Sequence, residues 1–301
     1  MADSEGYLVL ALDDRRYLEL AVNLALSIRR LDTRPVSVAV DPGTELDAKH
    51  RAVFDRVIPV GRDPILRGAM NKARLLDLTP YDRTLYVDAD CLLFSARIEL
   101  FWHRYRGHPF VVEGMRQSQG PVFACSLGEK DAATLCRDYD LPYVIVFNAG
   151  VMYFERRDTA RAVFDKVKEL HAGPDRDRIS YSYKHAGEYA DEPFFGVALA
   201  SLGIAPFEPP LDDRLQVTTP NLVEAAMDLD VGDLRLVKQP PGGQPQLWSG
   251  VMCHFCGLAP MHTYFDFADR LRREAGLPLM DRSQFQPVVL TATLAGHATP
   301  D

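Results

Sequence analysis

What most constrains this chain is the order of its segments before Asp90: short, wholly apolar runs alternate with stretches whose apolar residues recur at helical spacing. Leu8 to Leu12 form a continuous apolar run that stops at Asp13-Asp14, the pattern of a strand buried on both faces. From about Arg16 onward, Leu20, Ala21, Leu24, Ala25, Ile28 and Leu31 fall on one helical face. The pattern then predicts a strand at Val36–Val40, a helix over Glu45–Phe54, a strand at Arg56–Val60 and a helical piece over Asn71–Leu78. The β-rich run Arg83-Thr-Leu-Tyr-Val-Asp-Ala-Asp90 ends abruptly in two carboxylates. This alternation predicts an α/β fold with a mostly parallel central sheet and flanking helices, not a sandwich or a bundle. A dinucleotide-binding version is excluded, because the linker Asp13-Asp14-Arg15-Arg16 has no Gly-x-Gly-x-x-Gly to admit a pyrophosphate.

Beyond Asp90 the pattern loosens. Strands are expected at Pro109–Glu113, Tyr143–Phe147 and Gly150–Phe154, the last two separated by a turn at Asn148-Ala149-Gly150. Asp158–Leu170 reads as a helix with Asp158 as its cap, and the polar stretch His171–Glu192 as a surface loop. Pro193 suits the first turn of a helix over Phe194–Leu202. The turn-rich stretches Pro206–Pro210 and Gln239–Pro245 predict peripheral excursions, and Tyr264–Ala275 the last helix.

Charge narrows the partners. With 34 Lys and Arg against 42 Asp and Glu, the formal net charge of −8 argues against salt-dependent adhesion to nucleic acid or anionic membrane. No apolar run is long enough for an integral membrane segment, and the opening residues lack a basic region ahead of a long apolar one, so a cytoplasmic location is expected. Cys91, Cys125, Cys136, Cys253 and Cys256 are too sparse for a disulfide scaffold and read as reduced thiols.

The strongest chemical signal is Asp88-Ala89-Asp90. Carboxylates two apart on a strand share a side, and at the carboxyl edge of a parallel sheet they call for compensation by a cation that prefers oxygen. Taken alone, the pair also suits a solvated strand end. Other residues carry similar double readings. Asp13 and Asp14 suit caps of the following helix, with Tyr17 packed beneath it; Lys72 suits a solvated helix position; Asn148-Ala-Gly suits a plain turn. Asp191 suits a helix amino terminus and His254 a core histidine. Cys253-x-x-Cys256 supplies only half of a structural zinc site and reads as packing.

In order along the chain stand Leu8 to Tyr17 with its helix, the run Lys72 to Asp90, Phe147-Asn-Ala-Gly-Val-Met-Tyr-Phe154, Asp191-Glu192 and His254-Phe-Cys-Gly257. This ordered set resembles the glycogenin-like, family 8 glycosyltransferases, which have a GT-A fold, over roughly residues 7 to 258. The resemblance implies a single catalytic domain over 1–280, with 1–135 mainly nucleotide-binding and 136–280 mainly sugar- and acceptor-binding, followed by an unassigned tail at 281–301. It implies Mn²⁺ or Mg²⁺ held by Asp88, Asp90 and His254, and a nucleotide diphosphate sugar, a UDP-sugar, as donor to a hydroxyl acceptor, with retention of configuration. Asp13, Asp14 and Tyr17 would meet the nucleobase, Lys72 the phosphate or sugar, and Asn148 and Gly150 the donor sugar and acceptor. Asp191 and Asn148 would be the catalytic pair, with Ala89, Glu192, Gly257 and His262 completing the donor site.

Two departures stand out. The family's lysine after His-x-x-Gly is missing from Gly257-Leu-Ala-Pro-Met-His262, which leaves His262 or an arginine to meet the phosphates, and its Asp-Gln pair is Asp191-Glu192 here. A nucleotidyltransferase that releases pyrophosphate, or a silent sugar-nucleotide binding protein, would use the same geometry. Donor sugar, acceptor and oligomeric state are left open.

Overall fold

Residues 4–123, 129–180, 188–240 and 242–285 are described by the computed structural model. Strand β1 (Glu5–Ala11) lies between β2 (Val36–Val40) and β4 (Arg83–Val87), and β3 (Arg56–Pro59) flanks β2, all four parallel. Val151–Glu155 then pairs antiparallel with β4, and Phe110–Val111 closes the six-stranded sheet. The mostly parallel α/β sheet expected from the alternation is therefore present.

Side-chain alternation on this sheet feeds two cores. Tyr7, Val9, Leu85, Val87 and Tyr153 point to one face, where they meet helix α1 (Arg15–Arg29) and the helix Met261–Glu274. Leu8, Tyr86, Met152 and Phe154 point to the other, against the helices Asp158–Ala172 and Glu192–Ser201. Burial of these aliphatic and aromatic surfaces is the main driving force of the fold.

A second sheet corrects the sequence reading most. Arg214–Thr218, Leu222–Asp228, Asp233–Lys238 and Gln246–His254 form it, with Cys91–Leu93 paired to the last of these. The turn-rich stretches expected to be peripheral excursions are its approaches and hairpin connection. Its strands escaped notice because charged and apolar residues mix on them, as in Asp233-Leu-Arg-Leu-Val-Lys238, without the continuous apolar run of a doubly buried strand.

Smaller expectations shift as well. The helix expected over Glu45–Phe54 contracts to one turn, Ala48–Arg51, capped by Asp47 and with no buried residue, because no apolar face holds it longer. The helical piece expected at Asn71 starts earlier, as a 3₁₀ segment Gly68–Arg74 running into Leu75–Leu78. Arg157, not Asp158, occupies the cap of Asp158–Ala172, and Asp158 sits in the first turn. The strand Pro109–Glu113 shortens to Phe110–Val111. The loop expected over His171–Glu192 contains a short helix, Arg176–Ile179, and its residues 181–187 lie outside the described residues, as do Cys125 and 286–301 of the tail. Cys91, Cys136, Cys253 and Cys256 are free thiols. No helix among the described residues is long and apolar enough to cross a membrane.

One close contact fixes the helix that bears Glu192. Gly196 sits on the strand Val144–Phe147, and a Cβ there would lie 2.2 Å from the Ile145 carbonyl oxygen. Backbone cannot yield as a side chain can, so Gly196→Ala is expected to lower stability by about 1–3 kcal/mol, as overpacking does. A denaturant titration reads this as a lower midpoint; an unchanged midpoint would mean that the helix slides freely on the strand.

Candidate active site

The parallel strands end in a row of polar residues: Asp13 after β1, Asp41 after β2, Arg62 after β3 and Asp88 after β4. Ligands of open α/β sheets gather at this carboxyl edge. Between β4 and Cys91–Leu93 the chain passes from the first sheet to the second, and Asp88-Ala89-Asp90 is that passage. Antiparallel pairing sets His254 opposite Cys91, which delivers the histidine to Asp90 from far along the chain. His254 Nε2 stands 3.1 Å from Asp90 Oδ1 and 4.0 Å from Asp88 Oδ2.

Lys72 occupies the centre. Its ammonium donates to Asp88 Oδ2 at 2.9 Å and to the Ala149 carbonyl at 3.1 Å, and lies 3.3 Å from Asp191 Oδ2. Asp88 Oδ1 accepts from the Tyr86 hydroxyl. Burial alone would favour neutral Lys72, but Asp191 and Asp88 outweigh it and raise its pKa well above the ordinary value. Asp191 is 1% exposed, and burial pushes its carboxyl up to about 7, with Lys72 opposing and Glu192 and Asp88 reinforcing the rise. At Asp90 burial also opposes ionisation, yet His254 more than offsets it and holds the carboxyl below its usual range. His254 is raised in turn, with burial opposing and Cys256, Asp90 and Cys91 favouring the charged ring.

The turn Asn148-Ala149-Gly150 locks this cluster. Glu192 Oε1 accepts from Asn148 Nδ2 at 3.2 Å and from the Ala149 amide at 3.0 Å. Asn148 Oδ1 bonds His254 Nδ1 at 2.7 Å, and the Gly150 carbonyl accepts from the Asp88 amide at 2.7 Å. Glu192, which stands where the family has glutamine, thus holds donors of its own. A Cβ on Gly150 would fall 2.3 Å from His254 Nδ1, so only glycine lets the turn and the ring approach. Gly150→Ala should displace the ring and, at about 100-fold per ångström of misplacement, cost any activity that uses His254 about that factor. Retained activity with a folded protein would show that the ring has slack.

The structure therefore brings together Lys72, Asp88, Asp90, Asn148, Gly150, Asp191, Glu192 and His254, with Ala89 buried in the passage. Asp13 lies apart, at the edge of a cleft of about 450 Å³ lined also by Asp41, Arg62, Arg67 and Arg74. Its carboxylate accepts from the Gly68 amide and from Asn71 Nδ2, so the segment Gly68–Arg74 joins the cleft to Lys72. Asp14 is the cap of α1 and pairs with Arg16, while Tyr17 is 38% exposed on the first turn, not packed beneath the helix. Gly257 and His262 are exposed near the start of Met261–Glu274 and make no hydrogen bond or ion pair with the cluster. Sequence reasoning missed Tyr86, two residues before Asp88 on the same side of the strand, and Cys91, whose thiol joins Asp90 and His254 within 4.8 Å. Strand alternation was the available signal for Tyr86.

The residues fit a divalent cation. Asn148 engages Nδ1 of His254 and turns Nε2 toward the two aspartates, the arrangement in which a second partner orients a metal-binding imidazole. Asp90, Cys91 and His254 bring one ligand atom each within 4.8 Å of one another, and Asp88 Oδ2 stands 4.0 Å from His254 Nε2, so a cation would sit among these groups. Cys253 and Cys256 gather no second thiol pair among the described residues, in line with packing.

No protein-family model matches the chain, and no curated protein matches it by sequence. Among solved structures, the galactosyltransferase LgtC in complex with donor and acceptor sugar analogues is 12% identical, with 90% of this chain and 95% of that chain covered and a TM-score of 0.53. The apo WbbM bifunctional glycosyltransferase is also 12% identical, at a TM-score of 0.47 over 72% of this chain, which spans only 40% of that one. An active-site mutant of LgtC gives 15% identity, 90% and 95% coverage and a TM-score of 0.48. At such identities the likeness is one of fold, and the fold is the mixed α/β, GT-A-like arrangement with a largely parallel central sheet.

Proposed function

We propose that the protein is a metal-dependent glycosyltransferase that moves a sugar from a nucleotide diphosphate sugar to a hydroxyl acceptor. The observation that carries this reading is the convergence of Asp88, Asp90 and His254 at the carboxyl edge of the sheet, beside a buried Lys72–Asp191 pair. The family 8 resemblance supports the same reading and suggests a UDP-sugar and retention of configuration. It also divides the chain into a nucleotide half, 1–135, and a sugar and acceptor half, 136–280.

Mn²⁺ or Mg²⁺ at Asp88, Asp90 and His254 would supply a counter-charge for the diphosphate leaving group. The chain's own residues do the rest. Asp13 and Asp41 border the cleft where a base would lie, and Lys72 offers a fixed cation close to the sugar and phosphates. The bond from the anomeric carbon to the diphosphate oxygen breaks and a bond to the acceptor oxygen forms. In a front-face route the departing phosphate takes the acceptor proton, while Asp191 and the Asn148 turn border the anomeric centre. In a double displacement Asp191, whose ionised form Lys72 favours although burial raises its pKa to about 7, displaces the diphosphate, and the acceptor oxygen then displaces Asp191, its proton passing to the released carboxylate or diphosphate.

Incubation with a panel of sugar nucleotides and Mn²⁺ tests the reading, with and without hydroxylated acceptors. Acceptor-stimulated release of a nucleoside diphosphate is expected. Release of pyrophosphate from a nucleoside triphosphate would make the protein a nucleotidyltransferase, and binding without turnover a silent binding protein. A glycosyl adduct trapped on Asp191 would select double displacement over the front-face route.

A further inference from the structure

One face of the second sheet carries more chemistry than the donor site uses. Trp248, Gly250, Met252 and His254 alternate onto one side of the strand Gln246–His254. Parallel pairing puts Arg214 beside Gly250, Gln216 beside Met252 and Thr218 beside His254, so these three share that side. Lys238 joins them from the next strand, since Leu236 faces Trp248 and Lys238 lies two residues on. The face thus runs from His254 to Trp248 and carries these polar groups beside the buried Met252 and Leu236.

Its polar groups are short of partners. The Arg214 guanidinium lies 4.4 Å and the Lys238 ammonium 5.0 Å from the Trp248 ring centroid. Among the described residues neither cation forms an ion pair; Lys238 donates to Thr218 Oγ1 at 2.8 Å. Glu113 is the acid that acts on Arg214, but its oxygens are taken by the Tyr105 hydroxyl and the Leu215 amide. Arg214 Nε and Trp248 Nε1 are buried donors without an acceptor, and Gln216 Oε1 is a buried acceptor without a donor. Gln216 is 6% exposed and its Nε2 holds the Asn148 carbonyl at 2.7 Å, which ties this face to the catalytic turn. Burial depresses the pKa of both Lys238 and Arg214; Glu113 opposes this at Arg214, and the neighbouring Arg214 charge reinforces it at Lys238.

Two cations without an ion-pair partner among the described residues, two buried N–H donors and one buried carbonyl around an indole suit a hydroxylated anion. We propose that this face is the acceptor side of the active site and holds an oxyanion, phosphate or carboxylate, carried by the acceptor, with Arg214 and Lys238 as its cations and Trp248 as the platform for its sugar ring. The inference rests on the glycosyltransferase reading and names its acceptor class. The donor's own diphosphate is the rival occupant that the test must exclude: Gly250, the partner of Arg214, lies four residues and about 13 Å along the strand from His254, but Lys238 bonds Thr218, the strand partner of His254.

Calorimetric titrations without nucleotide or metal test it, using glucose 6-phosphate, glucuronate, glucose and inorganic phosphate as probes. Saturable binding of an anionic sugar at least tenfold tighter than glucose is expected, and the two anionic sugars separate phosphate from carboxylate. Arg214→Gln with Lys238→Gln should abolish it and leave Mn²⁺-dependent nucleoside diphosphate binding within twofold. Should the double variant fail to fold, Lys238→Gln alone decides, since among the described residues that ammonium bonds only Thr218. Equal binding of glucose, no effect of the substitutions, or competition by a nucleoside diphosphate with Mn²⁺ would each overturn the proposal. Loss of nucleotide binding with anion binding intact would instead sink the donor reading alone.

Discussion

Protein carrying Asp88→Asn and Asp90→Asn is expected to fold and to lose at least 100-fold in metal-dependent binding of nucleoside diphosphate. Each substitution keeps the size of the side chain and removes a negative oxygen, so the passage between the sheets need not move. What changes is the charge that a hard cation requires, since two of three ligands become neutral. Asp90 is the sharper single change, because His254 Nε2 faces it at 3.1 Å whereas Asp88 is already engaged by Lys72 and Tyr86. Asp88→Asn alone should therefore weaken binding less than Asp90→Asn. Calorimetry with Mn²⁺ and a panel of nucleoside diphosphates reads both. Equal affinity in wild type and the double variant would mean that nucleotide does not bind through these carboxylates, and the fold would then carry no glycosyltransferase chemistry at this edge.

The parts of this site that could be read in advance are those where local pattern and chemistry coincide. Doubly buried parallel strands announce themselves as continuous apolar runs, and a carboxylate pair that ends such a run is conspicuous. That is why β1, β2, β4 and Asp88-Ala-Asp90 were legible. His254 was reached only through resemblance, since its place depends on a pairing with Cys91 across the length of the chain. Register of that kind leaves no local trace. Arg214, Gln216, Lys238 and Trp248 were missed for the same reason. Each is ordinary alone, and they become a group only when three strands with mixed composition are laid side by side. Glu192 shows another gap: the donors that its carboxylate holds, the Asn148 amide and the Ala149 N–H, lie more than forty residues away and leave no local trace.

Removal of the central cation should have the largest effect on stability. In Lys72→Met protein, Asp88 and Asp191 lose the ammonium that lies 2.9 and 3.3 Å from them, and Asp191 is almost wholly out of water. Breaking a buried pair from one side costs about 3–5 kcal/mol, because the remaining charge is stranded. The deficit should depend on pH in a definite direction. The folded pKa of Asp191, about 7, exceeds its ordinary value of 3.8, so its contribution to stability is fully present below 3.8 and is lost as pH rises through 7. Without Lys72 that folded pKa climbs further, and the native carboxyl stays protonated at pH values where the unfolded one has long ionised. The gap between wild type and variant should then widen from pH 5 to pH 8. Denaturant midpoints across that range measure it. A gap that is constant, or that narrows toward pH 8, would show that Lys72 is not the counter-charge of Asp191, and that the buried carboxylate is stabilised by some other group.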